Sequence, residues 1–175
     1  MEAPFSEGEV LEALSACSGD TASGPDDYTL AFFRVACSII RADFMSILHF
    51  FHSSFQLGRG VNSSFIVRIP KIPSPMTFFE YRPISLTTAT YKILAKILSR
   101  RLRRVIGDLI SSTQSACIQG RQLTDSVLVA SEVLGFVRRT HQPAAVVKLD
   151  FEKAFDKVDW FYLTQVLRSM GFGGR

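Results

Sequence analysis

Cysteine is scarce in this chain: Cys17, Cys37 and Cys117 stand far apart, with neither CxxC nor Cys/His spacing. Neither a disulfide framework nor a zinc site is therefore indicated, and a reducing, intracellular setting, cytoplasm or nucleus, is expected. Long apolar runs are missing too. No stretch reaches the roughly 18 apolar residues of a membrane span, and the opening MEAPFSEGEV is acidic and lacks the apolar region of a secretory signal. Charged residues amount to only 21%. No internal repeat and no low-complexity tract is found.

What remains is apolar and aromatic. A hydrophobic content of 47% with 15 Phe in 175 residues marks a chain that folds, either as one domain or as part of a larger one. The net charge is +4, and the basic excess is local. Lys92, Lys96, Arg100, Arg101, Arg103 and Arg104 fall within thirteen residues that contain no Asp or Glu. Such a block suits a polyanion, most often nucleic acid; the alternative is a solvated helix face.

Periodicity and punctuation give the elements. Ser6 and Glu9 form a capping-box pattern ahead of Val10, Leu11 and Leu14, which predicts a helix near 6–18. The SGPDD turn at 23–27 precedes a helical region running through Leu30, Phe33, Ile40, Phe44, Ile47, Leu48 and Phe51. Phe65–Ile69 favours β structure and is followed by PKIPSP, whose prolines call for a loop or hairpin. From Thr90 to Ile110 the pattern is an amphipathic helix, with the basic residues set largely opposite Ile93, Leu94, Ile97 and Leu98. Another helix is expected over Asp125–Arg139 and a last one over Trp160–Met170. Between them AAVVKLDF, 144–151, reads as a strand: Ala145, Val147, Leu149 and Phe151 point one way, and Val146, Lys148 and Asp150 the other.

Four blocks carry a family likeness: IPK at 69–71, FFEYRPISL with YKILAKILSRRL at 78–102, QSACIQGRQLTD at 114–125, and KLDFEKAFDKVDW at 148–160. In this order and spacing they resemble the amino-terminal part of the reverse transcriptase domain of a LINE-type (non-LTR), plant-like retroelement. The resemblance runs from about residue 5 to 175. It implies an α+β fold, a mostly helical fingers region at 1–143 joined to the first strand and helix of a right-hand palm at 144–175. It also implies RNA-directed DNA polymerisation using Mg²⁺, an RNA template, a DNA primer and deoxynucleoside triphosphates.

Residue by residue, the resemblance makes Asp150 the first catalytic carboxylate and metal ligand, with the Phe151 carbonyl as a further ligand. Two divalent ions roughly 4 Å apart serve such a reaction, which needs carboxylates on a rigid scaffold. Taken alone, Asp150 reads as a helix-capping Asp with a solvated partner. Phe155 stands where the family places an aromatic gate against the ribonucleotide 2′-hydroxyl; otherwise it is a core ring. Lys71 and Arg82 are the implied triphosphate contacts, since Arg offers paired donors to phosphate. The alternatives are a solvated loop Lys and an Arg that pins the Pro83 turn. Gln114 and Arg121 contact template or nucleotide, or only tie the connector down. The helix from Lys92 to Arg104 is the nucleic-acid face. Asp27 replaces a usual Gly, so a strained turn with positive φ is expected there. The chain stops before the family's later catalytic carboxylates, which implies that it is inactive alone; a noncatalytic nucleic-acid-binding remnant or a nonfunctional fragment is the other reading.

Overall fold

The computed structural model describes residues 2–151 and 153–173. The described residues form five α-helices, α1 (Glu7–Ser15), α2 (Leu30–Ser54), α3 (Ala89–Leu109), α4 (Leu123–Thr140) and α5 (Trp160–Ser169), a short 3-10 turn at Phe78–Glu80, and two strands, β1 (Ser64–Pro70) and β2 (Tyr81–Thr87). Helices and one antiparallel sheet make the fold α+β, as the resemblance implies. Packing divides the chain into two compact units, residues 1–102 and 103–175. That division falls inside α3, not at the 143/144 boundary that the resemblance implies.

The first unit is a three-helix core. The α1 N-terminus is closed by the expected capping box: Ser6 Oγ accepts from Glu9 N at 3.3 Å, and Glu9 Oε2 accepts from Ser6 N at 3.1 Å. Thr29 caps α2 through Phe32 N, and Phe55 ends it in the left-handed conformation at φ 57°. The α3 N-terminus is closed from two sides, because Asp26 Oδ2 accepts from Ala89 N at 2.8 Å and Thr88 Oγ1 accepts from Tyr91 N at 3.2 Å. Val10, Ala13 and Leu14 of α1 meet Leu30, Phe33, Phe44 and Leu48 of α2 and Ala89, Ile93, Leu94 and Ile97 of α3 in one cluster, joined by Phe5. The apolar spacing that predicts each helix is the spacing that packs it.

The SGPDD turn seats α3 on this core. A Cβ on Gly24 would lie 2.3 Å from the Thr87 carbonyl oxygen and 2.8 Å from Thr88 N, both backbone atoms that cannot swing aside. Gly24→Ala is therefore expected to cost about 2–3 kcal/mol through overpacking, read as a lower urea midpoint with an unchanged m-value. A loss below about 0.5 kcal/mol would show that the turn relaxes freely. Asp27 has φ 55°, the left-handed turn anticipated where the family usually has Gly.

Strands β1 and β2 pair antiparallel in a hairpin, with Ile69 opposite Arg82 and Pro70 opposite Tyr81. Its ten-residue connection is pinned by Lys71 N donating to Glu80 O at 2.7 Å. Glu80 accepts from Met76 N at 2.6 Å and Thr77 N at 2.8 Å. These backbone donors, Thr77 first, hold its carboxyl below the usual carboxylate range.

The second unit differs from expectation at one element. Residues 144–151 form no strand; Val146, Val147, Leu149 and Phe151 are each about three-quarters exposed, at 74–76%. Extended chain becomes a strand only when a neighbour satisfies its backbone groups, and among the described residues none pairs with this segment. The alternation of sides anticipated for Asp150 is consequently not realised. Both α4 and α5 form, yet neither has a buried residue.

Candidate nucleotide and nucleic-acid interface

Antiparallel pairing puts opposed side chains on the same face. Arg82 therefore shares a face with Ile69 and Val67, and Lys71, two residues beyond Ile69, continues that row. Lys71 Nζ donates to Phe79 O at 2.7 Å, which fixes the ammonium at the mouth of the hairpin. The Arg82 side chain is exposed and has neither a hydrogen bond nor an ion pair among the described residues, so it does not pin the Pro83 turn. The hairpin thus brings two implied phosphate contacts to one accessible face.

The opposite face carries a cluster that motif matching alone does not disclose. Arg68 lies with its guanidinium carbon 5.2 Å from the Phe78 ring centroid and 5.7 Å from that of Tyr81. Phe78 is 77% exposed. The available signal was parity: Arg68 and Pro70 fall on one side of β1, and Tyr81 is the partner of Pro70.

The basic helix is corrected in part. Arg101 is buried, 8% exposed, and is not on a nucleic-acid face: its Nε donates to Glu9 Oε1 at 2.7 Å and its Nη2 to Glu9 Oε2 at 2.7 Å and to the Pro4 carbonyl at 2.9 Å. The same guanidinium bonds the Ala3 carbonyl and lies 4.6 Å from the Phe5 ring centroid. The reason is register: Ile93, Ile97 and Arg101 recur every four residues, so Arg101 is on the apolar stripe. Arg100 pairs with Glu12 at 2.6 Å, and Lys92 Nζ donates to Ala22 O at 2.6 Å. Lys96 is half-buried, and Arg103 and Arg104 remain exposed.

Arg121 ties the connector down. Its Nη2 donates to Gly107 O at 3.0 Å and Ile110 O at 3.1 Å, satisfying carbonyls at the end of α3, and its Nη1 bonds the carbonyls of Ser111 and Gln114. Gln114 contributes its own backbone and side chain to that turn, with N donating to Ser111 O at 3.1 Å and Nε2 to Ala116 O at 3.4 Å.

Asp150 is an exposed carboxylate with no partner among the described residues, and it caps no helix; Asp159 Oδ1 caps α5 through Tyr162 N at 2.7 Å. Phe155 is 97% exposed, so its ring packs in no core here. Asp150 fits the part of one metal ligand. No group of three or more His, Cys, Asp or Glu among the described residues could hold an ion.

Comparison with known proteins supplies the family. The sequence pattern described as "Reverse transcriptase (RNA-dependent DNA polymerase)" matches residues 69–175, and the chain belongs to that family. It is 32% identical over 173 residues to the "Transposon TX1 uncharacterized 149 kDa protein" of Xenopus laevis, covering 99% of this chain and 13% of that protein. It is 29% identical over 167 residues to the "Retrovirus-related Pol polyprotein from type-1 retrotransposable element R2" of Nasonia vitripennis, covering 94% of this chain and 15% of that one. The chain is thus part of a non-LTR retroelement reverse transcriptase domain and spans about an eighth to a seventh of these curated relatives. No helix among the described residues is long and apolar enough to cross a membrane.

Proposed function

We propose that these residues form the nucleotide-gripping fingers and the opening of the palm of an RNA-directed DNA polymerase acting on an RNA template, a DNA primer and deoxynucleoside triphosphates. The observation that carries this reading is the shared, accessible hairpin face of Lys71 and Arg82, in a stretch that also matches the family. A triphosphate brings several negative charges, and a guanidinium not already neutralised by protein can direct its full charge at them. Asp150 and the Phe151 carbonyl would hold Mg²⁺, which would supply charge stabilisation at the transferring phosphoryl group. Phe155 screens the sugar. Arg103 and Arg104 are the cations of the basic helix left for a nucleic-acid backbone. One carboxylate cannot organise an ion pair, so polymerisation requires further chain that supplies the rest.

The test extends residue 175 with the downstream palm and thumb of a related element and measures template-directed incorporation. Arg82→Ala is expected to lower kcat/KM for deoxynucleotides by about a hundredfold, the worth of one charge-assisted hydrogen bond to the transition state. An Arg82→Ala enzyme with wild-type kcat/KM would remove the hairpin from the nucleotide site.

A further inference from the structure

The connection between the two strands presents a hydroxyl group that the polymerase reading does not use. Of the chain's seven prolines, Pro75 alone follows a hydroxyl residue, so Ser74 and Pro75 are the single Ser-Pro or Thr-Pro pair in the sequence. Ser74 is exposed, and its Oγ meets no partner among the described residues. On one side of it Lys71 N donates to Glu80 O, and on the other the Glu80 carboxylate accepts from the amides of Met76 and Thr77. Residues 72–75, between these anchors, belong to no helix or strand. Pro73 and Pro75 keep them so, because neither has an N–H to donate and each disfavours helical backbone at the residue before it. Met76 is 93% exposed, which leaves the side after Pro75 open as well. A hydroxyl held outside regular structure, on chain tethered at both ends, enters a second protein's cleft at little entropic cost.

From this placement we infer that Ser74 is the phosphoacceptor of a proline-directed protein kinase, one whose cleft takes the Pro75 ring, and that the added phosphate competes with the nucleotide's triphosphate for Lys71 and Arg82. In the transfer, the bond from the γ-phosphorus of ATP to the bridging oxygen breaks and leaves ADP. The bond from Ser74 Oγ to that phosphorus forms, and the hydroxyl proton passes to the kinase's base. A phosphoserine carries about −1.5 to −2 charges near pH 7. By chain length alone the Cα atoms of Ser74 and Lys71 lie within about 11 Å, little more than the screening length of about 8–10 Å. Glu80 is the only acid of the connection and is bound to backbone amides, so the countercharge comes from Lys71 and, on the same face, Arg82. Competition at the hairpin rests on the nucleotide reading, whereas transfer to Ser74 does not.

Incubation of the 175-residue chain with radiolabelled ATP and a purified mitogen-activated protein kinase tests the acceptor without any polymerisation. Label is expected in the peptide that contains Ser74 and nowhere else, and Ser74→Ala should abolish it. Pro75→Ala should slow labelling about tenfold or more, since the kinase then loses the ring its cleft recognises. In the chain extended with a related element's downstream palm and thumb, phosphorylation should raise the deoxynucleotide KM about tenfold and leave kcat within about twofold, the worth of one weakened charge-assisted contact. Ser74→Ala treated identically should keep its KM. No label, label that persists in Ser74→Ala, or Pro75→Ala labelled at the wild-type rate would overturn the acceptor assignment. Full labelling with an unchanged KM, in an enzyme that Arg82→Ala still impairs, would overturn the competition; an Arg82→Ala enzyme with no loss of its own would instead fault the nucleotide site.

Discussion

Asp150→Asn is expected to lower template-directed incorporation by at least about a thousandfold in the chain extended with a related element's downstream palm and thumb. The substitution keeps the size and one oxygen of the side chain but removes its charge. A neutral amide oxygen is a poor ligand for a hard divalent cation, which favours anionic oxygen. Because Asp150 has no structural partner among the described residues, folding should be unaffected. Thermal midpoints equal to within a degree or so would confirm that chemistry alone had changed. Phe155→Ala should separate from it. With the exposed ring gone, room opens beside the sugar, so the ratio of kcat/KM for ribonucleotides to that for deoxynucleotides should rise while deoxynucleotide incorporation persists. Equal loss of both activities would mark Phe155 as a packing residue of the completed palm, and an unchanged ratio would place the gate elsewhere. Residual Asp150→Asn activity within tenfold of wild type would remove Asp150 from the metal site.

Arg101→Gln should unfold the first unit more readily than any surface change in α3. Its guanidinium is 8% exposed and meets both oxygens of Glu9, whose own side chain is 21% exposed. Removing one member of such a pair leaves the other partly buried and uncompensated, a loss of about 3 kcal/mol. Against a total stability of roughly 5–15 kcal/mol this is a large fraction. Arg101→Met combined with Glu9→Gln should recover part of the loss, since neither residue then carries a buried charge. The pair also sets an acid limit. Hydrogen bonding from Arg101 lowers the Glu9 pKa from 4.5 to about 2. A carboxyl depressed on folding contributes stability that is complete above pH 4.5 and is lost as pH falls toward 2. Urea midpoints should therefore drop steeply across that window in the wild type and less steeply in Arg101→Gln. A stability for Arg101→Gln within about 1 kcal/mol of wild type would show that water replaces the pair without penalty.

How far the sequence carried the fold depended on whether the information was local. Ser6 with Glu9 closes α1 because both partners lie within one turn. The three prolines of PKIPSP mark the hairpin connection because proline is excluded from the interior of a helix and from a central strand. Asp150 was different. Alternation in AAVVKLDF describes what a strand would look like, but pairing is a property of two segments, and no partner is found among the described residues. In the basic helix a run of arginines reads as one surface, although Arg101 sits four residues after Ile97 and turns inward while Arg103 and Arg104 stay out. The four-residue spacing contained that signal; charge counting hid it. Likewise Arg121 could be read as a ligand contact or as a tie, and only the positions of the Gly107 and Ile110 carbonyls show the tie.

The first unit's closing contacts are remote in sequence: Asp26 meets Ala89 63 residues on, and Glu9 meets Arg101 92 residues on. During synthesis α1, only nine residues long, leaves the ribosome well before the helix that covers it. A helix of that length is marginal in water by itself. The apolar faces of α1 and α2 must therefore wait, uncovered, until α3 has emerged, which at about 5–20 residues per second is a delay of several seconds. Nascent chains halted before codon 101 should be bound by holdase chaperones, and those halted after α3 clears the exit tunnel should be released.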